Sequence, residues 1–299
     1  MSYSAKVIAD SIADGVRLTT LEVTFPRYIL AEFNTHRVFS RNSASSRAIP
    51  VKTRVQQVRE NPFIPTFTKN KPGMKADEVL VDDDALNAAA IWKGAALQAA
   101  QNAESLAFIE VHKQQANRLL EAFVWHTVVV TSTYWDNFWA LRAHVDASPE
   151  MFETAVTMRK AMKESVPQEL QVGDWHIPYV EMDRHHGEGL MMFGPSYYYG
   201  LINMSVARCA ALSYERQNVE KTAAEYALRH DQLKRSGHWS PFEHQAKVAN
   251  AEEMRKYALW KYTGESFGHE TFKAVCIGNL AVPWLQYRKT IPGEDVFVG

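Results

Sequence analysis

Two kinds of apolar spacing run along the chain. Over residues 17–25, Leu18, Leu21, Val23 and Phe25 are interleaved with threonines at nearly every second position, a period of two that predicts a half-buried strand. Pro26 then suits the first turn of a helix, and Tyr28, Ile29, Leu30 and Phe33 carry that helix to about Thr35-His36-Arg37. Residues 84–123 are rich in Ala, Leu, Gln and Glu at helical spacing, and 135–141 and 150–162 read as further helices. The last of these starts at Pro149 behind Ser148 as its N-cap. A Gly/Pro-containing stretch, 173–199, separates this block from helices through 204–212 and 219–236, the second ended by Gly237. Residues 242–248 and 275–287 are strand-like. Pro50, Pro62, Pro65 and Pro72, with Asn61, Asn70 and Gly73, predict an extended, non-helical connection over 50–78. The elements add up to an α/β (α+β) fold, a β-sheet flanked by long helices, in one domain spanning 1–299. No internal repeat and no low-complexity tract interrupts it.

Composition adds exclusions. With 46% hydrophobic and 22% charged residues the chain is an ordinary globular one, neither disordered nor fibrous. Thirty-three Lys+Arg against 34 Asp+Glu leave a net charge of −1, so an anion site must arise from local clustering. Cys209 and Cys276 are too few for a disulfide framework or a four-thiolate zinc site and fit a reducing compartment. Neither an export signal nor a run of about 18 apolar residues is present, which makes the cytoplasm the expected location.

One segment concentrates charge. Between Arg37 and Arg59 lie Arg37, Arg41, Arg47, Lys52, Arg54 and Arg59 and no acidic residue, interleaved with Ser40, Asn42, Ser43, Ser45 and Ser46. Guanidinium forks and hydroxyls are what a phosphate dianion or a pyrophosphate needs. A solvated basic loop has the same composition. Neither G-x-G-x-x-G after a strand nor G-x-x-x-x-G-K-[ST] occurs, so a Rossmann or P-loop mode is disfavoured.

Spacing goes further. The run from Thr35 to Arg47 resembles the R-H-R-x-x-S-x-N-x-x-S-x-R signature of the flavin-dependent thymidylate synthases, matching at His36, Arg37, Ser40, Asn42, Ser45 and Arg47. Gly237-His238-Trp239-Ser240-Pro241-Phe242-Glu243-His244 is similar to that family's G-H-x-[ST]-P-F-E-H stretch. Ala211-Leu212-Ser213-Tyr214 resembles its helix-end serine, and Phe138-Trp139-Ala140-Leu141-Arg142 its F-x-x-L-R segment. In the usual order the serine and P-F-E-H elements come first; here they come last. The chain therefore resembles a circularly permuted, phage-type member, for which the host cytoplasm would be the location. Permutation is tolerated where the old termini lie close together.

The resemblance implies an activity: reductive methylation of dUMP to dTMP, with FAD as cofactor, methylenetetrahydrofolate as carbon donor and NADPH as reductant, in a homotetramer with interfacial sites. By position it implies that His36, Arg37, Ser40, Arg142, Ser213, His238, Ser240 and Glu243 contact the flavin. Ser45, Ser46 and Arg47 would hold the nucleotide phosphate, with Arg118 or Arg288 as a second nucleotide arginine. Arg37, Arg47 and Glu32 would be the catalytic residues. Departures from the family pattern are Thr35 for the first arginine, Ser43 for Glu or Gln, Ala48 for Tyr, and Glu32 for a glutamine that touches the pyrimidine; a carboxylate accepts but does not donate unless protonated.

Other readings are weighed by residue. Flavin-dependent hydroxymethylation of dUMP needs the same cofactors. A nucleic-acid-binding module would use 37–59, yet Phe39 is the only aromatic there, whereas single-strand binders stack bases on several. Cys209 and Cys276 sit in apolar settings where cysteine packs as a small hydrophobe. His185-His186, with Asp183 and Glu188, lack a third ligand at a recognised spacing, and no metal is expected.

Overall fold

The computed structural model describes residues 1–72, 78–181, 196–212, 221–260 and 278–294. Strands β1 (Ser4–Ala13) and β2 (Val16–Pro26) form a hairpin. They turn at Asp14 (φ 47°) and Gly15 (φ 74°), the pair of left-handed residues that a two-residue hairpin loop requires. The 3-10 turn Arg27–Ile29 and helix α1 (Leu30–Phe33) follow, then β3 (Ser40–Ser43), α2 (Val51–Glu60), α3 (Asp82–Phe108), α4 (Lys113–Ala116) and β4 (Trp125–Ser132). Helices α5 (Asp136–Arg142) and α6 (Pro149–Glu164) lead to β5 (Gln168–Glu169) and β6 (Trp175–His176). Next come α7 (Ser196–Ala210), α8 (Ala223–Arg235), the 3-10 turn Ser240–Glu243, β7 (Ala246–Val248), α9 (Ala251–Trp260) and β8 (Trp284–Gln286).

The strands form two sheets, one ordered β3-β4-β2-β1-β5 and one ordered β6-β7-β8. Successive side chains on a strand point to opposite faces, and this sorts the larger sheet. Leu21, Val23, Phe25, Val128 and Val130 share a core with Phe33, Phe138, Met151, Ala155 and Met158 from α1, α5 and α6; burying such a side chain contributes about 1.5–3 kcal/mol. The other face turns Leu18 and Ala13 onto Ala246, Val248 and Trp284 of the smaller sheet. In the same layer it places Ser11, Thr20 and Thr131, all buried. Helices α2, α3 and α4 form a satellite core around Val55, Val58, Ala96, Ala100 and Leu120.

The mixed α and β architecture agrees with the sequence expectation; three local readings need correction. Residues 51–60 are helical, within a stretch expected to be extended. Val51, Val55 and Val58 recur at i, i+4 and i+7 and are buried, and Pro50 stands at the N-cap, where its missing N–H costs nothing. The expected 84–123 helix stops at Phe108, because Glu110 takes a left-handed φ of 62°. Ser148 sits at the N-cap of α6 but makes no capping bond; its hydroxyl donates to Glu32 Oε2 at 3.3 Å instead. The expectation at Gly237 agrees with its φ of 67° just past α8.

Candidate functional site

The arginine-serine segment and the Ser-Pro-Phe-Glu-His turn, some 200 residues apart in sequence, meet within one chain. Strand β3 pairs with β4, placing Ser40 opposite Thr131 and Asn42 opposite Val129, so alternation sends the Ser40 and Asn42 side chains toward the smaller sheet. There Ser240 Oγ donates to Asn42 Oδ1 at 2.9 Å, and Asn42 Nδ2 donates to the Cys209 carbonyl at 2.6 Å. Gln286 Nε2 donates to Ser40 Oγ at 2.9 Å and to the Glu243 carbonyl at 3.0 Å. Asn279, which donates to the Val38 carbonyl at 3.3 Å, completes the seam. Gly278 (φ 100°) has room for no side chain, since a Cβ would lie 2.9 Å from Gln286 Cβ.

Gln286 is fully buried and was not singled out from sequence. Gln286→Leu keeps the bulk and leaves its acceptors without a donor, each costing about 1–3 kcal/mol when buried. A urea melt is expected to show a loss of about 3 kcal/mol; an unchanged midpoint would mean the seam is not held by this amide.

Alternation sends Arg41 the other way. Its Nη1 donates to the His36 carbonyl at 3.1 Å. Burial lowers its pKa, opposed by the nearby charge of Glu243; Arg41 too was not singled out as a site residue. His36 is buried, stacked on Phe39 and edge-on to Phe138. Arg142 Nε donates to His36 Nε2 at 3.0 Å, which puts the imidazole proton on Nδ1. Burial, then Arg142 and Arg41, push the His36 pKa down to about 4, so the ring is neutral near pH 7. Arg142 also forms an ion pair with Glu32 and donates to Thr35 Oγ1 at 3.4 Å. Glu32, His36 and Arg142 thus form one cluster, brought together by α1 and the end of α5.

The nucleotide-phosphate candidates sit on a turn. Ala48 N donates to the Ser45 carbonyl at 3.0 Å, and Arg47 N to Ser45 Oγ at 3.2 Å. Ser45 and Arg47 are exposed and Ser46 is buried. Asn117, fully buried, anchors the turn through Nδ2 to the carbonyls of Ser46 (2.8 Å) and Ile49 (2.9 Å). Arg118, the next residue, is exposed and paired with Glu121 at 3.1 Å. Arg37 is exposed, and among the described residues its side chain has no partner. On the far side of the seam, His238 is exposed with its Nδ1 2.9 Å from Ser236 Oγ. Glu243 is ion-paired with Arg288, which also meets Glu294 at 2.7 Å and lies over the Trp239 ring.

Ser213, Cys276, His185 and His186 lie outside the described residues. Cys209 is buried, and burial pushes its thiol pKa up, which suits packing and not nucleophilic attack. Among the described residues no cluster of His, Cys, Asp or Glu could hold a metal ion, and no helix is long and apolar enough to cross a membrane.

The family model described as thymidylate synthase complementing protein matches residues 10–168, a span containing the arginine-serine segment and Phe138–Arg142. No curated protein matches the chain significantly. Among solved structures, a UMP/dUMP methylase from Streptomyces cacaoi bound with 5-Br UMP is 16% identical, with a TM-score of 0.44, covering 55% of this chain and 90% of that one. The same protein bound with 5-Br dUMP is 15% identical, with a TM-score of 0.45, covering 55% and 91%. A likeness this distant carries no argument about ligands.

Proposed function

The chain belongs to the thymidylate synthase complementing protein family, and from that premise we propose that it methylates dUMP to dTMP using FAD, methylenetetrahydrofolate and NADPH. The observation that supports this reading is the seam itself. Ser240 and Asn42 share a hydrogen bond, as do Gln286 and Ser40, so the two segments that resemble the flavin-dependent enzymes stand side by side.

The donor set fits a flavin dinucleotide. Its two phosphates need cations and hydroxyls, and Arg37 and His238 are exposed on either side of the seam. Its ring system needs a flat, uncharged neighbour, which the neutral His36 on Phe39 supplies. In this reading His36, Arg37, Ser40, Arg142, Ser213, His238, Ser240 and Glu243 hold the cofactor. When bound, the flavin supplies the redox chemistry that methylation requires, and the protein contributes binding and alignment.

Arg47, Ser45 and Ser46 hold the dUMP phosphate, with Arg118 or Arg288 as a further cation. Glu32, fixed by Arg142 and Ser148, presents its carboxylate to the pyrimidine as a hydrogen-bond acceptor. The active assembly is a homotetramer with sites shared between subunits.

Purified protein is expected to be yellow and to make dTMP only when dUMP, methylenetetrahydrofolate, NADPH and FAD are all present. Colourless protein that cannot be reconstituted with FAD would overturn the reading. A product heavier by a hydroxymethyl group would move it to the hydroxymethylase.

A further inference from the structure

Helix α6 leaves the Glu32 cluster with an open groove along one flank. Ser148, whose hydroxyl reaches Glu32 at 3.3 Å, stands at the N-cap, and its carbonyl accepts from Phe152 N at 2.9 Å. The groove opens at Phe152, against Ala143, the residue that follows Arg142. Val156, Arg159 and Lys163 continue it around a cavity of about 440 Å³, a size usual for small-molecule sites. Ser148, Phe152, Val156, Arg159 and Lys163 recur three or four positions apart, so they share one side of the helix. The side toward the sheet carries Met151, Ala155, Met158 and Met162, all buried.

The charges in the groove are unbalanced. Lys160, also on its wall, lies 4.0 Å from Glu164, the i, i+4 pairing of a solvated helix face. Arg159 and Lys163 differ. Both are exposed, they stand one turn apart, and among the described residues neither meets an acidic side chain. Like charges at that spacing repel, and a helix face serving solubility alone alternates its signs. Lys163, in the last turn, complements the negative end of the helix dipole; Arg159 stands ahead of that turn, where the effect has faded. Nearer Ser148 the wall is apolar, with Phe152 half-buried and Val156 38% exposed. The groove thus suits a molecule that is flat and apolar first and anionic further along.

We propose that this groove seats the p-aminobenzoyl-glutamate arm of methylenetetrahydrofolate, its benzene ring on Phe152 and Val156 and its carboxylates on Arg159 and Lys163. This rests on the dUMP-methylating reading and supplies it with the groups that hold the carbon donor. Order along the helix matches order along the molecule. The donor carbon must come to the pyrimidine, which in that reading lies at the Glu32 carboxylate held by Ser148 and Arg142. At 1.5 Å of rise per residue, Phe152 stands about 6 Å from Ser148, and Arg159 and Lys163 about 16 and 22 Å. From the donor carbon the arm runs through a benzene ring and an amide to two carboxylates, a span of about 10–15 Å. Helical side chains lean toward the N-terminus, which brings both cations back toward the ring. A guanidinium fork takes one carboxylate through two parallel hydrogen bonds, and the ammonium takes the other as a point charge.

The test uses the full chain loaded with FAD and dUMP and measures binding by equilibrium dialysis, so that no turnover is needed. The probes are tetrahydrofolate and tetrahydropteroate, the same molecule without its glutamate. Wild type is expected to bind tetrahydrofolate about 10²-fold more tightly, about tenfold for each of two charge-assisted contacts. Arg159→Ala and Lys163→Ala are each expected to weaken tetrahydrofolate about tenfold while tetrahydropteroate, dUMP and FAD stay within about twofold. Arg159→Lys keeps the charge and is expected to recover part of the loss, and Arg159→Glu to deepen it. A general packing defect would weaken both probes alike. Phe152→Ala must weaken both, since both carry the ring. Equal wild-type affinity for the two probes, or a preference that survives in the Arg159→Ala Lys163→Ala double variant, overturns the groove alone. A wild type that binds FAD and dUMP but neither probe overturns the folate-dependent reading, and the groove with it.

Discussion

Acidification from about pH 7.5 to about pH 5 is expected to remove about 6 kcal/mol of folding stability, about 2 kcal/mol from each of three buried imidazoles. His126, His176 and His244 are held neutral, chiefly by burial, with pKa values pushed down to about 3. Arg27 and Arg54 add to the effect at His126. The unfolded imidazole titrates near pH 6.5, so on acidification the unfolded state takes up protons before the folded state does. The stability is fully present above about pH 6.5 and falls by about 1.4 kcal/mol per pH unit per group until the folded pKa is reached. Against a total of roughly 5–15 kcal/mol for a folded protein, this brings the chain to the edge of unfolding near pH 5. Urea melts at several pH values measure it directly, and a midpoint constant over this range would show that these rings are not buried neutral.

Arg47→Ala is expected to lower kcat/KM for dUMP by roughly 10²–10⁴-fold, with FAD still bound. A guanidinium fork makes two charge-assisted hydrogen bonds to a phosphate, each contributing about 1.5–3 kcal/mol. The fold should not suffer: Arg47 is exposed, its side chain has no partner among the described residues, and Ser45 Oγ holds only its backbone N–H. Surface changes of this kind usually alter stability by less than about 0.5 kcal/mol. A flavin absorbance band that vanishes in the variant would assign the arginine to the cofactor and leave the dUMP phosphate to other groups.

Local pattern carried much of the architecture. The period of two in β2 and the apolar stripes of α5, α6 and α8 are visible in sequence because each element buries one face, and burial selects its residues at the element's own spacing. Strand β1 was not foreseen; most of its residues are only half-buried, so its alternation is weak. Helix α2 was masked by the prolines on either side, although its valines were at helical spacing all along. The arginine-serine and Ser-Pro-Phe-Glu-His segments were legible as chemistry because anion binding draws on few residue types, and these were clustered.

What the sequence determined by itself was the list of groups and the faces on which they stand. Tertiary structure decided which of them touch. Glu32 reaches Arg142 across 110 positions, Asn42 reaches Ser240 across 198, and Gln286 reaches Ser40 across 246. No local propensity encodes such separations. They follow from strand order, which places β3 beside β4 and brings the smaller sheet over the polar face of the larger one. Asn117 and Gln286 escaped notice for the same reason. A polar residue in isolation looks like surface, and only a packed interior, where an unpaired donor costs about 1–3 kcal/mol, shows that its partners were waiting far along the chain.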